Sequence, residues 1–172
     1  MLLHAGRNRS VVRLKSGDPL VFGRANEEIE ALRAAQIPFE IVPGITAAFA
    51  VAASLQTPLT DRTSASKLIL ATAHHAAGKP PAILWDGPFP ADSTLVLYMP
   101  GRDLAGLSAA LTAAGIAPET PVAAVSKAST PDEQVTLTTL AELPHSQPGP
   151  APLLLLIGRA IQPATSPRTD NS

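Results

Sequence analysis

Residues 11–48 read VVRLKSGDPLVFGRANEEIEALRAAQIPFEIVPGITAA, and the order of apolar runs, glycine turns and a helical stripe in this stretch decides the fold class. Val11, Val12 and Leu14 form a short β-branched-rich run, which predicts a strand. The run stops at Ser16-Gly17-Asp18-Pro19, where glycine permits unusual φ and proline fixes φ and removes a donor. A helix is predicted from about Asn26. Asn26 suits an N-cap, and Glu27 and Glu28 complement the positive end of the helix. Ile29, Leu32 and Ala35 recur at helical spacing and are expected to face a sheet, with Glu30 and Arg33 toward solvent. Residues 39–42 predict a second strand, which Pro43-Gly44 breaks. Thr46 is placed to cap a further helix over residues 47–55. Two strands joined by a crossover helix make a right-handed βαβ unit with parallel strands. In such α/β folds ligands bind at the carboxyl ends of the strands. Both glycine turns, 16–19 and 43–46, fall at those ends and are expected to flank one crevice.

The rest of the chain continues the α/β pattern. Residues 56–66, QTPLTDRTSAS, read as a connection between lobes. Strands are predicted over 67–73, 94–99, 121–125, 134–138 and 153–157, the last fully buried because its apolar run is unbroken. Asp103 is expected to cap a helix carrying Leu104, Leu107, Leu111 and Ala114 on one stripe, and Gly115 to stop it. Residues 126–129 read as a polar turn and 140–143 as a helical turn. His74 and His75 stand side by side, but neighbours on a strand point to opposite faces and no acid or cysteine stands at ligand spacing, so a solvent-facing loop outweighs a metal site. Residues 76–81 read as a loop, 82–90 as a short packed connector, and 162–172 as a disordered tail. The domain division drawn from this pattern is 1–62, 63–162 and the tail 163–172.

Composition narrows the function classes. With 172 residues and 45% hydrophobic side chains, the chain has material for a substantial core. A net charge of −1 argues against nucleic acid or an anionic membrane as the main partner. The absence of cysteine removes disulfides, thiolate nucleophiles and cysteine-ligated metals together. Aromatic residues are 3%, too few for base-stacking platforms. No apolar run reaches the length of a membrane span, and MLLHAGRNRS is too short and polar for a signal peptide, so a cytoplasmic location is expected. There is no GxGxxG and no GxxxxGK[ST] phosphate loop.

The segments VVRLKSGDPLVFGR, EEIEALRAAQIPFEIVPGITAA and PLTDR resemble the core signature of the tetrapyrrole methylases, at the branch that C-methylates uroporphyrinogen III. The order GDP turn, FGR loop, VPGITAA turn carries the resemblance, which runs from about Ser10 to about Ile161. It implies a two-lobed α/β fold in which S-adenosylmethionine lies between lobes, folded over backbone turns. The family's domain begins further upstream, with a glycine-rich first loop and more strands. An N-terminally truncated member is therefore expected, with the first part of the N-terminal lobe missing. The catalytic acid and lysine usually proposed for proton transfer lie in that part.

By the same resemblance, the methyl-donor contacts are Ser16, Gly17 and Asp18 of the GGD-type turn, Val21 after it, Thr46 and Ala47 of the GITAA turn, Met99 after the 94–99 strand, and Ala128 after the 121–125 strand. The family usually has Gly where Ser16 stands. For Met99 ordinary core filling reads as well as ligand contact, and for Asp18 the competing role is turn chemistry. The substrate would be a carboxylate-rich macrocycle, which calls for cations; Arg24 and Arg62 are the candidates. The family commonly has His where Asp61 stands, and an acid there would repel the substrate unless it pairs with Arg62. No metal is required. The implied reaction is S-adenosylmethionine-dependent methylation of two ring carbons of uroporphyrinogen III, giving precorrin-2 for sirohaem and cobalamin synthesis. The alternatives are a later precorrin methyltransferase, or a non-catalytic or partner-dependent fragment. Either a homodimer or a complementing N-terminal half is the expected assembly.

Overall fold

The computed structural model describes residues 1–7, 9–73 and 88–161. The histidine pair 74–75, the loop 76–81, most of the connector 82–90 and the tail 162–172 lie outside the described residues. The chain separates into two compact units, Met1–Ala47 and Ala48–Ser172.

The first unit holds a single helical turn, α1 (Leu2–Ala5), and a helix, α2 (Ala25–Ala34), with turns and irregular backbone between and after them. Neither strand expected from residues 11–14 and 39–42 is present, so the predicted parallel βαβ unit is not formed. The physical reason is pairing. A strand needs a neighbour for its N–H and C=O groups, and among the described residues no ladder hydrogen bond reaches either run. The alternation survives without the ladder. Arg13 and Lys15 reach the same carboxylate, donating to Glu28 at 3.0 and 2.7 Å. Val12 and Leu14, the intervening residues, are 80% and 81% exposed. Lys15 first, and then Arg13, holds the Glu28 carboxyl below its usual range.

Helix α2 starts one residue earlier than expected. Its N-cap is Arg24 in the left-handed region, without a side-chain cap. Asn26 instead donates to Glu30 at 2.7 Å, an i,i+4 pair along the helix. Of the predicted stripe Leu32 is buried, whereas Ala35 is exposed because it already caps the end of the helix.

The second unit contains α3 (Ala47–Ser54, whose first residue belongs to the first unit), β1 (Lys67–Thr72), β2 (Ser93–Tyr98), α4 (Leu104–Ala113), β3 (Pro121–Ser126), β4 (Gln134–Thr139), a 3-10 turn (Leu143–His145) and β5 (Leu153–Ile157). The strands form one sheet in the order β1-β2-β5-β3-β4. β1 and β2 are parallel, and β5 is antiparallel to both β2 and β3, so β1, β2 and β3 point the same way. β4 returns antiparallel to β3. Central β5 is apolar throughout because both of its edges are paired and both of its faces are buried. Its Leu155 and Ile157 pack with Leu95 and Leu97 of β2, Val122 and Ala124 of β3, and Leu107 and Leu111 of α4. Asp103 caps α4 by accepting from the Gly106 N–H at 2.8 Å, and Gly115, at φ +97°, ends it. The expected inter-lobe connection 56–66 belongs to the second unit and buries Thr57, Leu59 and Ala65. No helix among the described residues is long and apolar enough to cross a membrane.

Candidate functional site

In the first unit the two glycine turns meet, and Asp18 is the joint. Its Oδ1 accepts from the Leu20 N–H at 2.8 Å and its Oδ2 from the Gly44 N–H at 3.0 Å. The turn chemistry weighed for Asp18 is therefore real, and it reaches across to the second turn. Gly17 sits at φ +68°, and a Cβ on it would lie 3.5 Å from the Ile45 carbonyl oxygen and 3.7 Å from the Thr46 Cα. Gly44 tolerates no side chain: a Cβ there would overlap the Gly17 carbonyl oxygen and come within 3.0 Å of its carbon. Ser16, Gly17, Asp18, Thr46 and Ala47 are thus gathered in one place. Thr46 is buried there and Ser16 is exposed. Val21 follows in the next turn, its N–H donating to the Asp18 carbonyl at 3.4 Å.

Arg24 stands at the end of that loop, beside a hollow of about 330 Å³ lined by Leu20, Phe22, Gly23 and Ile29. Its guanidinium binds Glu27 through Nε at 3.0 Å and Nη2 at 2.8 Å. Nη1 makes no bond to Glu27, so a substrate carboxylate would meet a guanidinium already partly paired.

In the second unit, Met99 follows β2 and Ala128 follows β3. These strands run the same way with β5 between them. The two residues therefore emerge at the same end of the sheet, from strands about 10 Å apart. Met99 is 46% exposed, which removes core filling as its role within this unit. At the opposite end of the sheet a cavity of about 70 Å³, lined in part by Ser93, Thr120 and Gly158, has room for water and not for a nucleoside.

Seven non-glycine residues among those described have φ in the left-handed region. Gln36 and Gln56 directly follow the last turns of α2 and α3, where such a residue commonly stops a helix. The other five, Phe22, Arg24, Met99, Lys127 and Ser129, all fall in loops that carry a candidate position. Left-handed backbone costs an ordinary residue about 1–2 kcal/mol. Such backbone persists where the surrounding structure holds it in place.

Arg62 is exposed, and the ion pair weighed between it and Asp61 does not form. Asp61 is taken up by its own turn. Its Oδ1 accepts from the Thr63 hydroxyl and N–H, both at 2.7 Å, and from the Ser64 N–H at 2.8 Å, while its Oδ2 accepts from the Ser64 hydroxyl. The Ser64 and Thr63 hydroxyls, followed by the two N–H groups, depress its carboxyl far below the usual range. A depressed folded-state carboxyl stabilises the chain above its unfolded pKa, near 3.9, and loses that contribution as pH falls toward the folded value. Thermal melts of the native chain and Asp61→Asn should therefore differ at pH 7 and converge as pH drops below about 4. An equal difference at all pH values would show that the turn does not need the charge.

Tyr98 and Glu133 have no candidate role in the sequence reading, yet Tyr98 bonds to the start of α3 and Glu133 to the turn that carries Ala128. The Tyr98 hydroxyl accepts from the buried Ala48 N–H at 3.1 Å, and Glu133 accepts from the Ser129 N–H at 2.7 Å. Tyr98 is the single tyrosine of the chain and ends a buried strand, a position where a phenol oxygen needs a partner. Glu133 had no such signal, because an acid in a polar turn reads as solvated.

Comparison with known proteins identifies the family. Residues 1–144 match the tetrapyrrole (corrin/porphyrin) methylases. A siroheme synthase of Psychrobacter arcticus is 43% identical over 160 residues, covering 91% of this chain and 29% of that protein. A crystal structure of uroporphyrin-III-C-methyltransferase from Thermus thermophilus superposes with a TM-score of 0.77 at 40% identity, over 93% of this chain and 65% of that one. A second structure from that organism, complexed with S-adenyl homocysteine, gives 0.79 at 32% identity, over 93% and 70% of the respective chains. The chain spans about a third of the length of the curated relatives it matches. With its mixed α/β fold and the matched segment that includes both glycine turns, the chain belongs to the tetrapyrrole methylase family.

Proposed function

We propose that the chain serves the S-adenosylmethionine-dependent C-methylation of uroporphyrinogen III to precorrin-2. The observation that carries this reading is the pair of interlocked glycine turns, Gly17-Asp18 against Gly44-Ile45-Thr46. Backbone packed that closely, without side chains in the way, offers N–H and C=O groups to the amino-acid and ribose ends of a nucleoside ligand. Ser16, Gly17, Asp18, Val21, Thr46 and Ala47 from the first unit, and Met99 and Ala128 from the second, are the proposed donor contacts. S-adenosylmethionine supplies an electrophilic methyl group on a sulfonium. The task of these residues is orientation, because an in-line displacement gains chiefly from a fixed approach of donor and acceptor. Arg24 and Arg62 are proposed to meet the carboxylates of the macrocycle. Asp61, satisfied by its own turn, leaves Arg62 available.

A second reading has its own observation. Val12, Leu14 and Val42 are 80%, 81% and 73% exposed on runs patterned as strands. These runs suit pairing with a complementing N-terminal half, which would make methyl transfer dependent on that half. Incubation of the purified chain with methyl-labelled S-adenosylmethionine and uroporphyrinogen III separates the readings. Label in the macrocycle supports a self-sufficient enzyme. Donor binding without transfer, with label appearing once the family's upstream segment is supplied as a second chain, supports dependence. No donor binding by the folded chain alone, restored when that segment is supplied, also supports dependence, and no binding in either case overturns both.

A further inference from the structure

Helix α3 is pegged at both ends to the end of the sheet from which Met99 and Ala128 emerge. At its start, the Ala48 N–H donates to the Tyr98 hydroxyl at 3.1 Å, and Tyr98 immediately precedes Met99. At its end, the Ser54 hydroxyl donates to Glu133 Oε1 at 2.9 Å. The other oxygen of that carboxylate, Oε2, accepts from the Ser129 N–H at 2.7 Å, and Ser129 immediately follows Ala128. Ala48 and Val51, on the same helix, have no exposed surface.

Each peg lies beside a strained residue. Met99 is at φ +50°, and Ala128 stands between Lys127 at φ +49° and Ser129 at φ +63°. The turn around Ala128 has few ways to relax. The Lys127 N–H donates to the Pro152 carbonyl at 2.8 Å, and the Thr130 hydroxyl donates to the Lys127 carbonyl at 2.8 Å. Left-handed backbone at a methionine, a lysine and a serine persists only where surrounding bonds hold it. The Glu133 carboxylate supplies one such bond to Ser129, and the start of α3 fixes the phenol next to Met99.

We propose that Tyr98 and Glu133 are positioning residues: through α3 they hold the Met99 and Ala128 backbone at the separation that receives the methyl donor. The proposal rests on the donor-binding reading of Met99 and Ala128. Neither side chain need touch the donor. Tyr98→Phe removes the acceptor of a buried N–H, which the protein has no cheap way to satisfy otherwise. Glu133→Ala removes two bonds at once. Glu133→Gln can keep both, because its amide oxygen accepts from the Ser129 N–H while its NH₂ group donates to the Ser54 hydroxyl.

The test is S-adenosyl-homocysteine affinity of the full chain and of the three variants, by calorimetry, together with thermal melts and amide hydrogen exchange. Binding by the native chain tests the donor reading, and the variants relative to it test the positioning role. Tyr98→Phe and Glu133→Ala are expected to weaken binding about tenfold, and Glu133→Gln to restore it to within about twofold of native. Exchange should rise at residues 127–130 in Glu133→Ala and fall back in Glu133→Gln. Native binding with unchanged affinity in Tyr98→Phe and Glu133→Ala would overturn the proposal and leave the donor reading standing. Unchanged exchange at residues 127–130 in Glu133→Ala would overturn it even for a chain that binds no donor.

Discussion

Gly44→Ala should abolish donor binding while leaving the second unit's sheet folded. The added Cβ would overlap the Gly17 carbonyl oxygen and lie 3.0 Å from the carbonyl carbon, so a backbone segment, rather than a flexible side chain, has to move. Moving it separates the two turns and takes the Gly44 N–H away from Asp18 Oδ2, now at 3.0 Å. S-adenosyl-homocysteine affinity is expected to fall at least a hundredfold, about 2.7 kcal/mol. A melt of the same variant provides the control, because the sheet of the second unit does not use Gly44. Unaltered affinity would show that the interlocked turns are not the donor cradle.

Leu155→Ala should be the most destabilising single truncation in the second unit. Leu155 lies on the central strand, opposite Leu97 on one side and Ala124 on the other, and has no exposed surface. Removing a buried leucine side chain costs about 2–5 kcal/mol, with the higher values where the neighbours cannot collapse into the gap. Here the neighbours are paired strands and α4, so little relaxation is available. Against a typical total of about 5–15 kcal/mol, the variant should melt about 10 °C lower. Leu137→Ala on edge strand β4, where the leucine is 55% exposed, is the comparison and should cost well under about 1 kcal/mol. Equal costs at the two positions would contradict the strand order.

The second unit was legible in the sequence to within a residue or two at most element ends. Its strands are unbroken or alternating apolar runs bounded by Gly, Pro and Ser, and its helix α4 announces itself by the Asp103 cap and the Leu107–Leu111 stripe. Such elements satisfy their own backbone or pair with neighbours present in the same chain. The first unit was misread for the converse reason. Residues 11–14 and 39–42 have strand composition, but composition cannot supply a partner ladder, and the ladder defines the strand. The start of α2 was misjudged because Asn26 looks like a cap, whereas a positive φ at Arg24 turns the chain.

Within the candidate site, the glycine turns were visible as Ser16-Gly17-Asp18-Pro19 and Pro43-Gly44, since few other residue combinations allow such backbone. Their interlocking through Asp18 was not, because a contact across 26 positions leaves no local trace. The same holds for Glu133, which joins Ser54 and Ser129 from a turn that reads as solvated. Asp61 shows the opposite error: the sequence invited an ion pair with Arg62, but hydroxyls and N–H groups two and three residues on were nearer and better aligned.

The most direct test of the donor-cradle account is calorimetric titration of the purified, folded chain with S-adenosyl-homocysteine. The interlocked turns predict one bound molecule per chain, lost in Gly44→Ala. A folded, monodisperse chain that binds none at any attainable ligand concentration, or a Gly44→Ala variant that binds as tightly as the native chain, would contradict it.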